Sequence, residues 1–108
     1  MMRQITHPLV ERDVVGIFEH ILMSTGGDLA AAERRLDEID DLLARIASNA
    51  TSGQRLGGAM SGWLVRHGGR DHKLTIVFRP EVEANVLRVA LIAFGGRDWM
   101  AVAEGRRD

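Results

Sequence analysis

The sequence predicts an α+β fold: a short N-terminal strand and an antiparallel helix hairpin, packed on a mainly antiparallel sheet that a three-stranded C-terminal meander completes. Three observations predict it. Residues 10–21 and 29–46 carry apolar side chains at helical spacing, whereas the strand-like segments lie between residues 63 and 94. Helices grouped ahead of strands, rather than alternating with them, argue against an α/β architecture. The run Val86 to Phe94 is the longest apolar stretch in the chain and is apolar at both parities, interrupted only by Arg88, so it reads as the central strand.

In chain order, Arg3 to Thr6 is a short extended segment ahead of Pro8, which suits the first position of a helix with His7 as its cap. Val10, Val14, Ile17, Phe18 and Ile21 then share one helical face, and Glu11, Arg12, Asp13, Glu19 and His20 take the other. Gly26 or Gly27 ends this helix, and Asp28 caps the next. In that second helix Leu29, Ala32, Leu36, Ile39, Leu43 and Ile46 step by three and four, which predicts a seam turned to the sheet. Asp41 and Arg45 form an i,i+4 pair, and Asn49 to Gly53 stops the helix.

Gln54 to Gly62 reads as a glycine-rich loop that lacks the Gly-Lys-Ser/Thr ending of a phosphate-binding loop. Trp63 to His67 and His72 to Arg79 read as strands joined by a turn at Gly68-Gly69-Arg70-Asp71. In the second of these, Leu74, Ile76 and Phe78 are expected inward and Lys73, Thr75 and Arg79 outward. In the central strand, strict alternation groups Leu87, Val89, Leu91 and Ala93 on one face. Asp98 to Glu104 is expected to add a terminal helical turn with Trp99 and Val102 on one side.

The 108 residues suit one domain, residues 1–108. There is no cysteine, which excludes a disulfide framework, a thiolate metal site and a cysteine nucleophile. No apolar run approaches the roughly 20 residues of a membrane span and no signal-peptide pattern opens the chain, so a cytoplasmic protein with no membrane partner is expected. The net charge of −1 hides an asymmetry. Residues 1–50 hold five Lys and Arg against nine Asp and Glu, and residues 51–108 hold nine against six. The strand-rich half is therefore basic, which favours an anionic partner there, either nucleic acid or an acidic protein segment.

Several local patterns, taken in order, carry a family resemblance. Pro-Leu-Val-Glu-Arg-Asp-Val at 8–14, Ala-Ala-Glu-Arg-Arg-Leu-Asp-Glu-Ile at 31–39, Arg-Leu-Gly-Gly at 55–58, and Val-Leu-Arg-Val followed by Gly-Arg-Asp-Trp at the end of the last strand resemble the RelE/ParE toxin superfamily of type II toxin–antitoxin systems, in its ParE-like branch. The resemblance runs from Ile5 to about Trp99 and implies the same strand–helix–helix–three-strand layout. It further implies a toxin that binds and inhibits DNA gyrase and is neutralised by a cognate antitoxin, through which alone it meets operator DNA. No cofactor and no metal are expected.

The nuclease members of the superfamily cleave messenger RNA on the ribosome, which needs a base, cations for the developing charge and an acid. Arg97 matches the arginine after the last strand and Lys73 roughly matches a basic position on the middle strand. The chain has no tyrosine, however, and the positions where nucleases carry lysines read as Gly62 and Leu64. His67 or His72 is the substitute acid or base if the chain is a RelE-like endoribonuclease, which is the alternative reading beside a non-toxic interaction module. A metal site from His67, Asp71 and His72 would sit on a flexible turn without a fourth ligand. The binding reading assigns Arg97, Trp99, Arg66 and Lys73 to the target and Arg79, Arg88 and Trp63 to the antitoxin. Arg88, on a central strand, calls for a carboxylate partner within the chain or on the antitoxin.

Overall fold

A computed structural model describes residues 2–96 and 98–107. The expected α+β architecture is present. Strand β1 (Arg3–Thr6) leads to helices α1 (Val10–Ser24) and α2 (Leu29–Ser48). Strands β2 (Gln54–Arg55), β3 (Leu64–Gly68), β4 (Leu74–Glu81) and β5 (Val86–Phe94) follow, then helix α3 (Trp99–Glu104). The sheet order is β1-β5-β4-β3-β2. Neighbours are antiparallel except β1, which runs parallel to β5 with Arg3 opposite Val86 and Thr6 opposite Val89.

The helix boundaries follow from local chemistry. The expected start of α1 at Pro8 with His7 as its cap is not found: Leu9 is the N-cap residue and has no side-chain capping bond, His7 Nδ1 accepts only the Leu9 N–H (3.1 Å), and Pro8 and Leu9 form a turn ahead of Val10, the first helical residue. At the other end Gly26 and Gly27 take positive φ (68° and 94°), and the Gly27 N–H reaches back to the Leu22 carbonyl at 2.7 Å. Asp28 then caps α2 by accepting the Ala31 N–H at 3.0 Å.

The hairpin lies over one face of the sheet. Ile39, Leu42 and Ile46 of α2 and Val10 and Ile17 of α1 pack on Leu74, Ile76, Phe78, Leu87, Val89 and Ile92. The α2 seam is turned slightly from the expected one. Leu42 is buried, Leu36 and Leu43 are half-buried, and Leu29 is 54% exposed. Leu29 is the first residue of α2, directly after its N-cap Asp28.

Two corrections concern the strands. The expected loop at 54–62 contains β2, which pairs with Leu64 and Val65, and a short 3-10 turn at Gly58–Met60 that buries Met60. The alternation expected for β5 also fails. Val77 pairs with Leu91 and Phe78 with Val89, so Ala90 is an extra residue, a β-bulge. The bulge shifts the phase: Leu87, Val89 and Ile92 join the helix-side core, whereas Leu91 and Ala93 join a second core on the opposite face. That second core contains Met60, Trp63, Val65, Val77 and Ala103 of α3. It explains why Thr75, expected outward and exposed, points away from the helices yet is only 3% exposed.

The last correction is Asp13, expected on the solvent face of α1. It is buried, and it accepts two hydrogen bonds from Arg106, Nη1 to Oδ2 at 2.6 Å and Nη2 to Oδ1 at 2.9 Å. Asp13 Oδ2 also accepts the Ile92 N–H at 3.1 Å, and Arg106 Nη1 also donates to the Ala90 carbonyl at 3.2 Å. The pair thus closes the edge of β5 beyond the end of β1.

Two stability outcomes follow. Removing one member of a buried pair leaves the other charge uncompensated, so Asp13→Ala or Arg106→Ala is expected to cost about 3–5 kcal/mol in urea unfolding. The double variant should lose much less than the sum of the two single losses; simple additivity would mean that the two side chains do not act together. Ile39→Ala, which empties a buried position on the seam, is expected to cost about 2–5 kcal/mol, and a loss below about 0.5 kcal/mol would place that face in solvent.

Candidate functional site

Two of the three non-glycine residues with positive φ among the described residues lie in the turn between β3 and β4. Gly69 has φ 72°, and Asp71 and His72 follow with φ 58° and 55°, a left-handed conformation that non-glycine residues seldom adopt. A side chain at Gly69 would meet Glu38 Oε1 and Leu74 Cδ1, both at 2.8 Å from its Cβ. The turn is held at both ends. The Arg70 N–H donates to Glu38 Oε1 at 2.9 Å, and the Lys73 carbonyl accepts the Gly95 N–H at 2.9 Å. Glu38 is itself fixed by the buried Arg35, whose Nη1 lies 2.9 and 2.8 Å from its two oxygens.

Seated this way, the turn forms two adjoining clefts with the helices. The larger, about 420 Å³, lies between the second half of α2 and the strand β3 with its turn, and Arg45, Arg66, Arg70 and His72 line it. The smaller, about 230 Å³, lies toward the helix hairpin and is lined by Arg34, Arg35, Arg70 and Lys73 over Ile21, Ala31 and Phe94. Arg70 belongs to both. Arg66 donates to the Ser52 hydroxyl at 2.9 Å.

On the opposite face of the sheet, His67 Nδ1 lies 2.9 Å from Thr75 Oγ1, and the His67 ring meets the half-buried Trp99 edge-on with ring centres 6.0 Å apart. At the far end of the same face, the Arg79 guanidinium stacks over Trp63 at 4.9 Å, and Glu81 bridges Arg79 (3.7 Å) and Arg88, with which it hydrogen-bonds. Glu81 is therefore the carboxylate that Arg88 calls for. The Arg88 hydrogen bond, with the charges of Arg88 and Arg79, holds the Glu81 carboxyl below its ordinary value of 4.5 against a smaller opposing effect of desolvation.

The residues singled out in the sequence thus fall into three groups. Arg66, His72 and Lys73 gather at the clefts. His67 also borders the larger cleft, but its ring meets Thr75 and Trp99 on the other face. Trp63, Arg79 and Arg88 assemble together, although Trp63 is buried beneath Arg79 rather than free at the surface. Arg97 lies outside the described residues. Gly62 is exposed and Leu64 packs on the helix-side core, so neither brings a cation. The partner of His67 is a hydroxyl, which orients the ring. Among the described residues no three His, Asp or Glu side chains are gathered as metal ligands would be, and the set His67, Asp71 and His72 is not assembled. No helix among them is long and apolar enough to cross a membrane.

Sequence reasoning assigned no site role to Arg34, Arg70, Glu38 or Glu81, and it read Arg45 only as the helical partner of Asp41, a pair the structure contains at 3.6 Å. One signal was available: Arg35 and Glu38 stand at i,i+3 on a helix. The others owe their roles to which elements pack together. No family model matches the chain, and no curated protein matches it.

The Glu81 bridge has a definite pH signature. Because its pKa is lowered on folding, the stability it contributes is present above the unfolded-state value near 4.5 and is lost as the pH falls through the folded-state value. Glu81→Gln is expected to be less stable than the wild type near neutrality and to converge with it in acid, read from urea melts across pH. A gap that stays constant into acid would remove the charge explanation.

Proposed function

We propose that this chain is a ParE-like toxin of a type II toxin–antitoxin system, a cytoplasmic protein that acts by binding a cellular target, DNA gyrase by family resemblance, and is neutralised by a cognate antitoxin. The observation that carries the reading is the order of elements. A short strand, a helix hairpin and a three-stranded meander are built in one chain into one sheet with the hairpin on a single face. That is the layout the resemblance implies, and the patterns at 8–14, 31–39 and 55–58 fall in α1, α2 and the segment entering the sheet.

The residue chemistry supports binding over cleavage. Proton transfer to and from a ribose needs a positioned acid and base. The chain offers no tyrosine, a glycine and a packed leucine at the lysine positions, and a histidine held by a threonine. Binding needs shape and charge, and Trp and Arg side chains are the usual anchors. Trp99 at the start of α3 is one. The stacked set of Trp63, Arg79 and Arg88 is another, and its two guanidiniums share one carboxylate, which leaves donors for an acidic antitoxin segment.

Purified protein is expected to inhibit gyrase supercoiling, or to trap gyrase on cleaved DNA, and to leave messenger on translating ribosomes uncut. Arg97→Ala and Trp99→Ala should weaken the inhibition, with circular dichroism confirming that each variant is folded. If the protein instead cuts ribosome-bound messenger and His67→Ala or His72→Ala abolishes the cut, the endoribonuclease reading replaces this one.

A further inference from the structure

The two clefts beside the β3–β4 turn concentrate positive charge in a chain whose net charge is −1. Six cationic side chains line them, Arg34, Arg35, Arg45, Arg66, Arg70 and Lys73, against three carboxylates, Glu38, Asp41 and Asp71. The carboxylates are largely engaged. Glu38 is held by Arg35 and by the Arg70 N–H. Asp41 lies 3.6 Å from Arg45 along the helix, and Asp71 lies 4.0 Å from Arg70. Arg34, Arg66 and Lys73 have no carboxylate among the described residues within ion-pair distance, and Arg66 donates instead to the Ser52 hydroxyl. A guanidinium held by a neutral partner at the wall of a cleft keeps its charge and its planar fork for a ligand.

We infer that this double cleft binds the phosphodiester backbone of a nucleic acid, with Arg66 and Arg70 as its principal phosphate contacts. Two features point to a backbone rather than to a single small anion. The clefts share Arg70, so a ligand that spans both meets cations at intervals along its length, and a phosphodiester chain places an anionic group at every residue. The second cleft also has an aromatic floor, Phe94, which is half-buried and suits the sugar or base face beside a phosphate. Contacts to phosphates position a strand without selecting its sequence. The inference goes beyond the proposed function and does not rest on it, because the binding is measured with no gyrase or ribosome present.

The test is fluorescence anisotropy of labelled duplex DNA, and of single-stranded RNA, titrated with the intact protein at several salt concentrations. Binding is expected to weaken with salt, with log K falling by roughly 0.9 per phosphate neutralised on duplex DNA and about 0.7 on a single strand. Arg66→Gln combined with Arg70→Gln should lower affinity at least tenfold at low salt. The same change should flatten the salt slope on duplex DNA by about 2. Arg12→Gln, on the exposed face of α1, should change neither, and circular dichroism checks that all variants are folded. The nucleic acid bound more tightly identifies the source of the backbone. The inference is overturned if neither nucleic acid binds at about 50 mM salt, or if the Arg66 and Arg70 variant binds as the wild type does. It is equally overturned if polyglutamate displaces the nucleic acid at a lower concentration than unlabelled competitor does, which would assign the clefts to an acidic protein segment.

Discussion

The structure depends on how the edge of β5 is closed. β1 is four residues long and pairs with β5 only as far as Val89, yet β5, which lies between β1 and the middle strand β4, continues to Phe94 and is buried along most of its length. Backbone N–H and carbonyl groups left open beside a packed core need partners. Asp13 and Arg106 provide them, one for the Ile92 N–H and one for the Ala90 carbonyl, and neutralise each other at the same time. With side chains 7% and 12% exposed, neither charge could stand alone there. The pair ties α1, β5 and the residues after α3 into one unit, joining positions 93 apart in sequence.

The bulge at Ala90 is the second half of the same device. An uninterrupted β5 would keep Leu91 and Ala93 on the helix side with Leu87 and Val89. The extra residue sends them to the other face, where α3 and Met60 cover them. A small second core is the result, and it gives α3 a seat. Trp99 is thereby held against the sheet beside His67, and Arg106, just past α3, is brought back over the strand edge to Asp13. The position of the C-terminal segment follows from one inserted residue and one ion pair.

The clefts depend on a different constraint, the anchoring of the β3–β4 turn to α2. Arg35 is buried and fixes Glu38, which takes the Arg70 N–H and so places Arg70 between the two clefts. This network builds a basic surface from both halves of the chain. Arg34, Arg35 and Arg45 come from the acidic helical half, and Arg66, Arg70 and Lys73 from the basic half. The charge imbalance between the halves is a real property of the sequence, but the surface it favours is assembled across the boundary between them.

What repeats locally was legible in the chain alone. Helical spacing marked α1 and α2, Asp28 and the Gly26-Gly27 pair marked their ends, and period-two apolar runs marked β3, β4 and β5. These depend on neighbours a few residues apart, and so does the order of elements that sets the fold class. Among the site residues, Arg66, His72 and Lys73 were legible as chemistry, and Arg88 was legible as a charge that needs a carboxylate. Tertiary structure alone decided which carboxylate, because Glu81 reaches Arg88 only through the pairing of β4 with β5. It also decided the facing of Leu91 and Ala93, since a bulge is a mismatch between two strands and is not written in either one. Asp13 shows the limit most plainly. Its place between Val10 and Ile17 puts it in step with the buried face of α1, but burial of a carboxylate there is tolerable only because Arg106 folds back to meet it. No pattern within α1 contains that partner.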